Sequence, residues 1–286
     1  MRPAPNLFAF YDGRVEGVRA YGAEANWLDD GAYSLGACSY AIVDGAEALM
    51  FDTHISCPHA RIIRRTLADA GAASLRVVLS HWHADHVAGN EVFADCEIIS
   101  NTLTAQTLAA NKEAIEARKP AVKPLILPNR TYTGQLTLHV GTIPVELRQA
   151  DIHSHDGSVL LLPDRGLMLA GDTLEDPITY VSEPGRLATH LVDLRRMASW
   201  DIRSILPNHG APEVIEGGGY GPSLIDATRR YVEKLMRCPA EPELAQQDLR
   251  SFAPEDFASG SIRYFPAYEA VHHRNVRSVT SNMVGR

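Results

Sequence analysis

The sequence predicts an α/β fold made of two β-β-α-β halves followed by a small helical tail. Three observations carry that prediction. Apolar runs of strand length are bounded by polar, turn-forming residues. Two strand–turn–strand units each close on the pair Asp-Thr, at Asp52-Thr53 and again at Asp172-Thr173. A helical stretch and one more apolar strand follow each copy, which suggests an internal duplication.

In chain order, Leu7 to Phe10 and Val15 to Tyr21 flank Asp12-Gly13 and read as an opening hairpin. Ser39 to Val43, a turn at Asp44-Gly45, and Leu49 to Thr53 make a second hairpin. A helix is expected from about Pro58 to Ala70, with proline in its first turn and Gly71 at its end. Leu75 to Leu79 is a buried-strand run that completes the first half. Thr102 to Arg118 is helical in composition, 119–128 is a proline-broken loop, and Thr137 to Leu147 reads as strands. The second half comprises Ser158 to Leu162, the turn Pro163 to Gly166, Leu167 to Gly171, a helix over about Leu187 to Trp200, and the strand Ser204 to Leu206. Thr228 to Arg237 has helical spacing, and the remainder to Arg286 reads as a small helical tail. No low-complexity linker interrupts the chain. The expectation is a single domain over 1–286, with a core of about 38–212 and a helical extension over 213–286.

Composition narrows the function classes. Charged residues are 22% and hydrophobic ones 45%, ordinary values for a soluble globular protein. A formal charge of −8 gives no general attraction for nucleic acid or an anionic membrane. The N-terminus lacks the apolar core of a secretory signal, and no run approaches the length of a membrane span. Cys38, Cys57, Cys96 and Cys238 show no CxxC spacing, which argues against a disulfide scaffold or a thiolate zinc site. A reduced cytoplasm is the expected compartment.

The chemistry concentrates in Ser80-His81-Trp82-His83-Ala84-Asp85-His86. At a strand end side chains alternate, so His81 and His83 point to the same side. Asp85 caps or enters a helical turn, and His86 faces a slightly different direction. Three imidazoles and a carboxylate so close together suit a borderline ion such as zinc, which accepts nitrogen and oxygen ligands. Elsewhere, His59 and His190 fall on apolar helix faces and read as core histidines, His139 as half exposed, and His272-His273 as surface.

His81-Trp82-His83-Ala84-Asp85-His86 resembles the HxHxDH signature of the metallo-β-lactamase-fold superfamily. The resemblance implies an αββα sandwich with a dinuclear metal site along one edge of the paired sheets, and it implies further ligands in order. The third histidine is expected ahead of the second half, where Ile152-His153-Ser154-His155-Asp156 offers two candidates; the family's His-Ser/Thr-x-Asp pattern selects His153 and leaves His155 outside the ligand set. Asp172 resembles the bridging aspartate of two-metal hydrolases, and the last ligand matches His209 in Leu206-Pro207-Asn208-His209-Gly210. Asp52 matches a strand-end aspartate that is not a ligand. The implied set is His81, His83 and His153 on one ion and Asp85, His86 and His209 on the other, with Asp172 shared and with Asp85 and Asp172 as the catalytic carboxylates.

That set implies two divalent ions, zinc first with iron or manganese as alternatives, and a bridging hydroxide as nucleophile. The best-known lactamases carry cysteine where Asp172 stands, which counts against antibiotic hydrolysis. The absence of a basic patch and of an RNA-binding arm favours a small-molecule ester, lactone or thioester, with no nucleic-acid or membrane partner. A phosphodiester is the alternative within hydrolases. A mononuclear iron persulfide oxygenase is a rival class, but its Gly-Arg-x-Asp pattern is replaced by Leu174-Glu175-Asp176-Pro177. A non-catalytic binding module is disfavoured by the intact ligand set. Substrate, oligomeric state (a homodimer is one option) and the roles of Tyr180, His54 and the tail stay open at this level.

Overall fold

The computed structural model describes residues 1–15 and 17–284; residue 16 of the expected opening hairpin and residues 285 and 286 of the tail lie outside the described residues. Six strands form the first sheet: β1 (Leu7–Tyr11), β2 (Cys38–Asp44), β3 (Glu47–Phe51), β4 (Ser74–Leu79), β5 (Glu97–Asn101) and β6 (Arg130–Tyr132), adjacent in sequence order. The β1–β2 and β2–β3 pairs are antiparallel, and β3 to β6 run parallel. Five strands form the second sheet: β7 (Gln135–Val140), β8 (Ile143–Gln149), β9 (Ser158–Leu162), β10 (Leu167–Gly171) and β11 (Ser204–Pro207), in the order β11-β10-β9-β8-β7. Only the β10–β11 pair is parallel there.

Four layers follow from how side chains alternate. Tyr40, Ile42, Phe51 and Val78 of the first sheet meet Leu147, Leu160, Leu162 and Leu169 of the second in one buried cluster. Their sequence neighbours face outward. Ala41, Met50, Val77 and Leu79 pack under α1 (Cys57–Asp69) and α3 (Thr102–Glu116). Val159, Leu161, Met168 and Ile205 pack under α4 (Leu187–Met197) and α6 (Ser223–Arg237). Between these lie the single turns α2 (Ala84–Val87) and α5 (Pro212–Glu216). Because helices cover the outer face, β9 and β10 are apolar at almost every position and fully buried, as strands covered on both faces must be. The sandwich is αββα.

The duplication is visible in topology. An antiparallel hairpin, a helix and a parallel strand appear as β2-β3-α1-β4 and again as β9-β10-α4-β11. The tail consists of α7 (Pro242–Ala245), α8 (Leu249–Phe252), α9 (Pro254–Ser259) and α10 (Tyr268–Val284), whose Leu249, Phe252, Tyr268 and Val271 join the core beneath the second sheet. No helix among the described residues is long and apolar enough to cross a membrane.

Three expectations change. The opening hairpin does not form: β1 pairs with β2, Leu7 opposite Ile42, so its free edge is taken, and Val15 and Val18 are 64% and 65% exposed. His272 is not on the surface but fully buried, between the Tyr231 hydroxyl (3.1 Å) and the Gln247 carbonyl (3.1 Å). His59 is only half-buried, beside Ser56 and stacked on His54.

Candidate metal centre

Strand ends build the site. The chain leaves β4 extended through His83 (φ −67°, ψ 152°) and turns at once into α2, which brings the His86 ring to within 4.1 Å of the His81 ring. β10 delivers Asp172, β11 delivers His209, and the β8–β9 connection delivers His153. Gly171 is required for that approach: it sits at φ 56°, and a Cβ there would lie 2.9 Å from the Ser80 Cβ. Asp52, His54 and His153 are non-glycine residues held in the left-handed region (φ 65°, 73° and 67°), strain that persists only where surroundings over-determine it.

Two groups of side chains converge. His81, His83, His153 and Asp172 form one, and Asp85, His86, Asp172 and His209 form the other, with the ligand atoms of each group within 4.8 Å of one another. His83 Nδ1 lies 2.9 Å from His81 Nε2 and 2.9 Å from His153 Nε2. Asp172 Oδ2 stands 3.7 Å from His81 and His153, 3.1 Å from His86 and 3.5 Å from His209. Asp85 Oδ2 is 3.0 Å from His86 Nε2 and 3.2 Å from His209 Nε2. The structure therefore brings together all seven residues singled out from the sequence, and Asp172 belongs to both groups. His155 is not among them. Glu183 captures it, accepting from His155 Nδ1 (2.6 Å) and from its backbone N–H (3.0 Å).

The outward nitrogens set the tautomers. His153 Nδ1–H donates to the Tyr180 carbonyl (2.8 Å), His209 Nδ1–H to the Gly36 carbonyl (2.8 Å) and His86 Nδ1–H to Asp52 Oδ2 (2.8 Å). Carbonyls and carboxylates only accept, so each ring carries a proton on Nδ1 and turns Nε2 inward, the arrangement found behind metal-bound histidines. Burial and the neighbouring imidazoles hold His81 and His83 well below the usual histidine range, His83 at about 3, and burial lowers His153 too. Burial is the largest influence on His86 and His209 and lowers them, but the surrounding carboxylates, Asp172 first, together outweigh it and hold both high. His83 Nδ1 faces two ring nitrogens at 2.9 Å and with one proton at most can make a linear hydrogen bond to only one of them, and Asp172 Oδ1 is buried with no partner. This donor set of imidazole nitrogens and carboxylate oxygens fits two divalent cations.

Asp52 lies behind the cluster, fully buried, accepting from Ser80 N–H (2.7 Å), His86 Nδ1–H and Asn208 Nδ2 (2.8 Å). Trp82 packs edge-on behind His83 at 4.9 Å. His54 is spent on the Phe10 carbonyl (3.2 Å) and Ile55 N–H (2.9 Å). His190 is buried, but its Nε2 has no hydrogen-bond partner. Above the cluster lies a cavity of about 250 Å³, walled by Tyr33, Tyr180, Asp30, Arg118 and Glu175. The Tyr33 hydroxyl donates to Asp85 Oδ1 (3.2 Å). Tyr180 was a candidate in the sequence; Tyr33, Asp30, Arg118 and Glu175 carried no motif there, because the wall is assembled from remote loops. Asn208 did carry a signal, as the neighbour of His209 in Pro-Asn-His-Gly.

A sequence model described as "Metallo-beta-lactamase superfamily" matches residues 35–209. Among curated proteins, the chain is 27% identical over 177 residues to an atrochrysone carboxyl ACP thioesterase of Aspergillus terreus (strain NIH 2624 / FGSC A1156), covering 62% of this chain and 50% of the relative. It is 27% identical over 177 residues to the lactamase-like protein ptaB of Pestalotiopsis fici, covering 61% of this chain and 50% of that one. The chain thus spans about half the length of the curated relatives it matches. Among solved structures, the DIM-1 metallo-β-lactamase exposed to ceftazidime aligns with a TM-score of 0.60 at 19% identity, over 82% of this chain and 95% of that one. VMB-1 aligns with a TM-score of 0.61 at 15% identity, over 82% and 95%. At these identities the structures speak for the fold alone.

Proposed function

The chain belongs to the metallo-β-lactamase superfamily, and on that premise we propose that it is a two-metal hydrolase acting on a small-molecule thioester. The observation that carries the reading is the shared Asp172 Oδ2, which faces both histidine groups from one strand end. The thioester is preferred over an ester, a lactone or a phosphodiester because relatives named as thioesterases match over 177 residues, 62% of this chain.

In this reading His81, His83 and His153 would hold one cation and Asp85, His86 and His209 the other, with Asp172 common to both. Zinc is the proposed ion. Such a pair supplies Lewis-acid polarisation of a carbonyl oxygen and a hydrolytic nucleophile at neutral pH.

The chain's own residues do the rest. Asp172 places negative charge between two sites that would otherwise repel. Asp52 and the Tyr180 and Gly36 carbonyls fix His86, His153 and His209 by holding their Nδ1 protons, so each ring presents one nitrogen in one direction. Tyr33 holds Asp85 Oδ1 and leaves Oδ2 turned to His86 and His209. The only hydroxyl nucleophile type in the described cavity wall besides the tyrosines, Ser182, already donates to the His153 carbonyl, and no cysteine lines the wall. A side-chain nucleophile is therefore not part of the proposal. We also read the 213–284 helices as part of the same domain, because they share its core, and the four free cysteines fit a reduced cytoplasm.

The test is elemental analysis of purified protein followed by a panel of thioesters, esters, lactones and phosphodiesters. Close to two metal equivalents and turnover of thioesters that chelation abolishes are expected. One iron with no second metal would favour the oxygenase class instead, and cleavage of phosphodiesters alone would overturn the carbonyl substrate.

A further inference from the structure

The cavity over the metal cluster contains one charge that nothing in the protein answers. Arg118 lines it, half-buried, and no carboxylate lies within ion-pair distance of its guanidinium among the described residues. Each of the other charged groups of the wall has at least one partner, although Asp172 Oδ1 and Glu175 Oε2 have none. Arg274 bonds the Asp30 carboxylate and reaches the Tyr180 hydroxyl at 3.1 Å. Asp85 and Asp172 face histidines, and Glu175 Oε1 accepts the Tyr180 N–H (2.8 Å).

Arg118 is also held in place. The Trp27 indole N–H donates to the Pro120 carbonyl (3.0 Å) and the Trp27 backbone N–H to the Lys119 carbonyl (3.5 Å), which ties the chain after α3 to the segment that supplies Tyr33. The Trp27 and Tyr33 rings pack edge-on at 5.7 Å. Arg118 lines the same cavity as Tyr33, Asp85 and His209. Arg118 directly follows the α3 C-cap Ala117, and it is half-buried while its neighbour Lys119 is exposed to solvent.

A planar, always-charged fork on the wall of this cavity, with Tyr33 and Tyr180 beside it, matches a carboxylate or a phosphate, which it can grip with two parallel hydrogen bonds. Arg118 and the metal-facing side chains His83, Asp85, His153, Asp172 and His209 line the same cavity of about 250 Å³, so an anion at Arg118 and a carbonyl over the cluster would share it.

We propose that Arg118 binds an anionic oxygen group of the substrate, a carboxylate or a phosphate, separate from the carbonyl that is cleaved. Under the thioesterase reading above, on which this rests, the substrates are short acyl thioesters that carry a second, negative charge.

The experiment compares metal-loaded wild type with Arg118→Gln and Arg118→Lys. N-acetylcysteamine thioesters of succinic and butyric acid differ in a terminal carboxylate, and butyryl-coenzyme A adds phosphates on the thiol side. The succinyl-to-butyryl ratio of kcat/KM should fall at least about tenfold in Arg118→Gln, with part of it recovered by Arg118→Lys. A fall instead in the coenzyme A to N-acetylcysteamine ratio would identify the anion as a phosphate of the thiol. If neither ratio moves beyond about twofold, the anchor does not exist. Calorimetric binding of succinate against butyrate needs no turnover: an affinity ratio that Arg118→Gln abolishes supports the anchor, and one it leaves unchanged overturns it. Arg118-dependent succinate binding without hydrolysis of any thioester would sink the thioesterase reading and leave the anchor standing.

Discussion

The two β-β-α-β halves end their second strands on the same two residues and put them to different uses. Asp52-Thr53 follows β3 and Asp172-Thr173 follows β10. Asp52 has three hydrogen-bond donors, from Ser80, His86 and Asn208, and is fully enclosed. Asp172 turns Oδ2 toward histidines of both groups and keeps Oδ1 without a partner. The threonines diverge as well: Thr53 Oγ1 bonds Asn90 Oδ1 across the sheet, while Thr173 Oγ1 donates back to the Ala170 carbonyl. A carboxylate whose lone pairs are already taken by amides and an Nδ1–H has little left for a cation, whereas one with spare lone pairs among inward-turned imidazole nitrogens is placed to coordinate. The difference comes from the donors that the rest of the fold delivers, not from the strand ends themselves.

Several substitutions would break or sharpen that comparison. The largest effect is expected at Asp172. Asp172→Asn keeps the size, removes the shared charge, and should lose most of one metal equivalent, with turnover down about a hundredfold or more. The fold should survive, but the metal-free protein should lose some stability, because the Asp172 carboxylate is the buried partner of His86 (3.1 Å) and His209 (3.5 Å). Two retained metals with near-normal turnover would mean that Asp172 is not shared.

His153→Ala should come next, with loss of metal from the first group and a large fall in turnover. His155→Ala only releases Glu183 and should cost little, so elemental analysis of the two variants separates the residues; equal losses would place both in the cluster.

Asp52→Asn tests the other half. Because it acts through His86, metal affinity should weaken by roughly ten- to a hundredfold, and the disturbed buried network should cost about 1–3 kcal/mol of stability, read by chelator competition and denaturant unfolding. An Asp52→Asn protein that is fully stable but metal-free would reverse the roles assigned to the two aspartates.

The smallest effect is expected from Tyr33→Phe, which removes one hydrogen bond to Asp85 Oδ1. About 1 kcal/mol corresponds to a several-fold fall in turnover with both metals kept. A loss as large as that of Asp172→Asn would make the phenol part of the chemistry rather than a support for Asp85.

Much of this protein was determined by short-range sequence signals. Apolar runs with period two and helical spacing located most of the sheet strands, though not β5 and β6, and the main helices, because alternation and the helical repeat are local properties of the backbone. Placement of the HxHxDH segment at the end of β4, and of Asp172 and His209 at the ends of β10 and β11, followed from the same runs. Tertiary structure decided what depended on partners far along the chain. The apolar residues of 15–21 suggested a strand, but β2 occupies the available edge of β1 and leaves Val15 and Val18 in water. His153 and His155 share one local pattern, yet Glu183, 28 residues further on, removes His155 from the cluster. The cavity wall joins Tyr33, Arg118 and Tyr180 from three separate stretches. Side-chain periodicity shows which face a residue takes, but the donor or charge that waits there is known only once the chain has closed on itself.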